Sequence, residues 1–153
     1  HMPVFLKEAF REMVERLGEV ESPVEFEEAK KEIRKIVRDC YLKLKQREYP
    51  LDKLAFHVVL GKMPKGYIKT TPQHVKAASE LQKRGIELKA GDLISFVKVT
   101  KEPHVKPVQL ASKSEVDVDK YVGYLHSTFD QVLDALGLDF DEIIGLTKLE
   151  RFM

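Results

Sequence analysis

Residues 67–78, YIKTTPQHVKAA, gather the side chains best suited to holding a phosphate backbone. Thr71-Pro72 reads as a helix start. A threonine hydroxyl can accept a hydrogen bond from a first-turn N–H, and proline suits the first helical position. Around that start stand Lys69, Thr70, Thr71, Gln73, His74 and Lys76, with Lys62 and Lys65 just upstream. A helix N-terminus offers N–H groups and a partial positive charge to an anion. Hydroxyls, an amide and lysines beside it are the groups that contact nucleic-acid backbones. The competing reading is an ordinary capped helix with solvated lysines.

The charge distribution sharpens the choice. The chain of 153 residues has a formal net charge of only +1. Residues 1–50 sum to zero, residues 51–113 to +7 and residues 114–153 to −6. A basic middle third points to a polyanion partner, unless the acidic third folds against it. No apolar run approaches the roughly 20 residues that span a bilayer. The single cysteine, Cys40, sits on an apolar helical face and reads as a buried reduced thiol, which fits a cytoplasmic protein. His1-Met2 before Pro3 reads as a cloning scar.

Other chemistry finds little support. HExxH, CxxC, P-loop and GxSxG motifs are absent, and the five histidines are scattered. Asp117-Val118-Asp119 resembles a metal-binding pair, but acids at a helix start are favoured by the dipole alone. His57 falls in a strand pattern and reads as a satisfied polar residue. No catalytic residue and no metal ligand is expected.

The elements that must position the basic stretch follow from periodicity. Leu6, Ala9, Phe10, Met13 and Leu17 mark one face of a first helix, closed by Gly18. Ser22-Pro23-Val24-Glu25 opens a second as a capping box, and its apolar face runs from Phe26 through Ala29, Ile33, Ile36, Val37, Cys40 and Tyr41 to Leu44. These two helices are expected to form an antiparallel hairpin. Residues 54–60 alternate as a strand. The helix opened at Thr71 runs to Arg84, with Val75, Ala78 and Leu81 inward and Gly85 as its stop. Residues 93–99 read as a central strand and 108–111 as a third, short one. A long helix runs from about Val118 to Leu136 with Tyr121, Leu125, Thr128 or Phe129, Val132 and Leu136 inward, closed by Gly137. Asp139 and Glu142 box a last helix through Ile143 and Ile144. The expected fold is α+β: mainly a helical bundle with a small antiparallel sheet.

PLDKLAFHVVLGK (50–62), YIKTTPQHVKAASELQKRG (67–85), AGDLISFVKV (90–99) and DKYVGYLHSTFDQVLDALG (119–137) come in one order at characteristic spacing. In that succession the chain resembles the C-terminal thumb domain of archaeal family B DNA polymerases over residues 3–145. The Thr-Pro-Gln-His-Val variant is similar to crenarchaeal, thermophile forms. The resemblance implies a domain 3–145 made of a helical hairpin (3–48), a basic strand–helix–strand module (50–113) and C-terminal helices (117–145). It implies a role in DNA replication, gripping the primer–template duplex through sequence-independent backbone contacts along the minor groove, with the polymerase palm as neighbour. Lys69, Thr70, Thr71 and His74 match the family's contact segment residue by residue. Gln73 and Lys76 join them on chemistry alone, and Lys106 falls where the family often has a basic residue. The family's Asp-Thr-Asp, Ser-Leu-Tyr-Pro-Ser and exonuclease carboxylate motifs are absent, so this chain is not expected to transfer nucleotides alone, and Mg²⁺ is expected only for the full-length polymerase.

Residues 146–153 add a tail in which Leu146, Leu149, Phe152 and Met153 follow the spacing of a sliding-clamp-binding box. Leu146 replaces the usual Gln and Met153 the final aromatic, and a helical turn packed on the core is the alternative. The rival readings of the whole chain are a free-standing basic adaptor and a polymerase accessory protein that binds a protein partner.

Overall fold

The computed structural model describes residues 2–61 and 71–145. In chain order these residues form α1 (Val4–Gly18), α2 (Pro23–Lys45), a helical turn α3 (Leu51–Leu54), β1 (Phe56–Val59), α4 (Gln73–Lys83), β2 (Leu93–Lys98), β3 (Val105–Pro107), a 3-10 turn (Lys113–Glu115), α5 (Val118–Ala135) and α6 (Phe140–Ile143). They divide into two compact units. One comprises His1–Val4 and Tyr49–Asp117, the other Phe5–Glu48 and Val118–Met153. The α+β expectation holds: helices dominate, beside a small antiparallel sheet of order β1-β2-β3.

The helical unit is built from amphipathic stripes. Ala29, Ile33, Val37, Cys40 and Leu44 of α2 recur at three- and four-residue spacing and are buried. Its closest backbone partner is α5. An Arg16–Glu32 ion pair joins α1 to α2, while Phe5 and Phe10 of α1 set their rings against Tyr121 and Phe129 of α5 at 6.2 and 5.9 Å. The pairing expected of α1 and α2 alone is thus a three-helix packing, because α5 supplies the aromatic surface that α1 needs. On α5 the buried residues are Tyr121, Leu125, Phe129 and Leu133. Phe129 rather than Thr128, and Leu133 rather than Val132, continue the stripe at strict four-residue steps.

Caps set the helix ends. Ser22 Oγ accepts from Glu25 N–H, as expected, but the Glu25 carboxylate returns to the N–H of Glu21 rather than of Ser22. Asp139 accepts from Glu142 N–H at 3.2 Å. Gly137 ends α5 at φ +72°, where a Cβ would be strained.

In the sheet unit, β2 is central. Phe56 pairs with Phe96, His57 with Ser95, Val58 with Ile94 and Val59 with Leu93. Across the other edge Phe96 pairs with Pro107, Val97 with Lys106 and Lys98 with Val105. Two expectations are corrected. Residues 51–54 form a helical turn before the strand, and the third strand is Val105–Pro107 rather than 108–111. Hydrogen bonding to Lys98 and its neighbours selects that segment, and the chain turns back after Pro107, with Leu110 N–H donating to Pro107 C=O. α4 packs on β2 and β3 through Val75, Ala77, Ala78 and Leu81. No helix among the described residues is long and apolar enough to cross a membrane.

Candidate nucleic-acid interface

The candidate site is the N-terminal turn of α4. The helix begins at Gln73, one residue later than expected, and Pro72 is its N-cap at φ −59°, ψ 151°. That extended ψ keeps Pro72 out of the helix, so Thr71 stands one place too early to cap it. Proline has no side-chain acceptor, and α4 carries no side-chain cap. The Thr71 cap is therefore corrected. Pro72 C=O takes the N–H groups of Val75 and Lys76, both at 3.1 Å. The first turn so presents its dipole end without a side-chain acceptor from the capping residue.

Of the residues expected to contact DNA, Thr71, His74 and Lys76 are half-buried at this turn and Gln73 is exposed. The Gln73 side chain meets the sheet: its Oε1 accepts from Lys98 Nζ. Lys106 is placed elsewhere. Residues directly opposite in an antiparallel pair share a face. Lys106 opposes Val97, whereas Lys98 opposes Val105, so Lys106 lies on the sheet face opposite to Lys98 and Gln73. Its Nζ donates to Glu115 Oε2 at 2.7 Å, with both side chains 31% exposed. That bond, joined by a hydrogen bond from Ser112 N–H, holds the Glu115 carboxyl below the usual glutamate range. Lys69 and Thr70 lie outside the described residues, as do Lys62, Lys65, and Leu146, Leu149, Phe152 and Met153 of the tail.

The remaining candidates are accounted for locally. His57 Nδ1 lies 2.6 Å from Ser95 Oγ, its directly opposite neighbour. Asp117 uses its N–H to donate to Lys98 C=O at 3.0 Å. Among the described residues no group of three His, Cys, Asp or Glu side chains is placed to hold a metal ion.

Lys98 is the residue that reading along the chain passed over. It is 5% exposed, the one buried polar or charged side chain among the described residues. The signal was present: Lys98 is in phase with the inward-facing Ile94 and Phe96, so alternation points it into the core.

A family model described as DNA polymerase family B matches residues 2–136. The chain belongs to DNA polymerase family B. It is 43% identical to DNA polymerase 1 of Saccharolobus solfataricus and 41% identical to DNA polymerase 1 of Sulfolobus acidocaldarius, in each case over 98% of this chain. The chain spans 17% of the length of each of those relatives. The structure of the family B DNA polymerase from the hyperthermophilic archaeon Pyrobaculum calidifontis superposes with a TM-score of 0.64 at 29% identity, covering 79% of this chain and 16% of that one. The resemblance to archaeal family B polymerases, and to crenarchaeal ones in particular, is thereby established.

Proposed function

We propose that this chain is the thumb of a replicative, cytoplasmic DNA-directed DNA polymerase, residues 3–145, and that it grips the primer–template duplex through the N-terminal turn of α4. The observation that carries the reading is the basic segment 69–76, which leads into a helix start with no side-chain cap in a member of DNA polymerase family B. Lys69, Thr70, Thr71, Gln73, His74 and Lys76 supply donors and positive charge to phosphates. Such contacts ignore base identity, as a polymerase requires, because phosphate and sugar are common to all sequences. Lys106 is a weaker contact, since Glu115 offsets its charge and the sheet separates it from Gln73. The palm of the full-length polymerase would be the neighbouring domain, and Mg²⁺ would act there rather than in this chain. The tail residues Leu146, Leu149, Phe152 and Met153 are proposed to engage a sliding clamp.

Fluorescence anisotropy of a labelled primer–template duplex, titrated with the chain across a salt series, tests the reading. Affinity is expected to fall steeply with salt, and Lys69→Ala to make the slope shallower by about one. Duplex should compete better than single strand. Binding indifferent to salt and to Lys69, or none at low salt, would refute the reading. A primer-extension assay with Mg²⁺ should yield no product from the chain alone.

A further inference from the structure

The ammonium of Lys98 sits 5.4 Å from the ring centroid of Phe56 and 5.9 Å from that of Phe96, and the two rings stack at 5.5 Å and 15°. Aromatic faces attract a cation through their quadrupole, so this pair helps fix where the buried charge rests. The strand register holds both rings in place, since Phe56 and Phe96 are directly opposed. From that position Lys98 Nζ reaches Gln73 Oε1 at the first residue of α4.

The chemistry of the two groups makes this contact directional. A lysine ammonium has three donors and no acceptor, whereas a glutamine amide has an acceptor oxygen at one side and an NH₂ donor at the other. Lys98 can engage only the oxygen. The NH₂ group is then turned away from Lys98, on a side chain that is exposed at the helix start. Phosphate oxygens accept and do not donate, so only that orientation of the amide can hold one.

We propose that Lys98 is a positioning residue for the duplex: it locks the Gln73 amide so that its NH₂ group, not its oxygen, faces a DNA phosphate. The inference rests on the reading of α4 as the DNA-contacting end. Lys98 itself touches no DNA. Its contact with the amide oxygen leaves Gln73 a pre-set donor with little rotamer freedom to lose on binding.

The test is a double-mutant cycle on duplex affinity with the 153-residue chain, using Lys98→Met, Gln73→Ala and the combination, below the melting temperature of each. Lys98→Met and Gln73→Ala should each weaken binding about threefold to tenfold, and the double variant no more than the worse single one. A role confined to stability would lower the melting temperature but leave the affinity of the folded protein unchanged. Lys98→Arg, which also only donates, should restore most of the affinity. Lys98→Met binding like wild type, or losses that multiply in the double variant, would overturn the inference. Should Lys98→Met not fold, the side-chain NH₂ resonances of Gln73 in the wild-type chain decide: they should shift on adding duplex, and unmoved signals would overturn the inference. Failure of the underlying reading looks different, because Lys69→Ala and Lys76→Ala would then also bind like wild type.

Discussion

Lys76→Ala and Lys106→Ala each remove one positive charge from the same unit of the molecule, yet they should differ sharply in duplex binding. Lys76 lies in the first turn of α4, beside Gln73 and His74. Lys106 lies on the opposite sheet face, bonded to Glu115. Each phosphate neutralised contributes about 0.9 to the slope of log affinity against log salt. Over a fourfold rise in salt, loss of one contact therefore spares the variant about 3.5-fold of the affinity that wild type loses. Lys76→Ala should show that change. Lys106→Ala should show much less of it, because Glu115 already offsets the Lys106 charge and the contact it makes is the weaker one. Anisotropy titrations at four or more salt concentrations measure both slopes. Since the net charge changes equally, a long-range effect would move both alike. Slopes that fall equally, or fall more for Lys106, would refute the assignment of the duplex to the α4 end.

Two further outcomes follow from the packing. Phe129→Ala, at a fully buried site with its ring edge-on to Phe10, should destabilise the helical unit by about 3–5 kcal/mol, whereas Phe26→Ala, 36% exposed, should cost far less; urea unfolding followed by helical circular dichroism compares them. Glu115, its carboxyl lowered chiefly by Lys106 and then by Ser112, stabilises the fold fully above the ordinary glutamate range and loses that contribution as pH falls through its lowered folded value; the urea-midpoint gap between wild type and Glu115→Gln should therefore close on acidification from about pH 6 to about pH 3.

Much of the architecture was legible along the chain. The stripes of α1, α2 and α5, the Ser22 and Asp139 caps, the Gly137 stop and the central strand all depend on residues within a few positions of one another. Helix period, cap chemistry and β-branched runs are local properties, and the structure keeps them, save that Phe26 at the head of the α2 stripe is exposed. The basic character of residues 51–113 was equally plain, being a sum over the chain.

What tertiary structure decided was which side of each element meets which partner. The third strand lies at Val105–Pro107 because the edge of β2 pairs there, although Pro103 and Pro107 weaken its own strand propensity. Alternation along β2 turns Lys98 inward, but only the pairing of β3 with β2, which no local pattern encodes, puts Lys106 on the opposite face. Thr71 lost its capping role because Pro72 stays extended and occupies the N-cap itself. Composition announced lysines, an amide and a helix start. Only strand pairing and the packing of α4 on the sheet could sort a lysine that orients Gln73 from a lysine bound to Glu115, because a side chain's partner lies across the fold rather than along the chain.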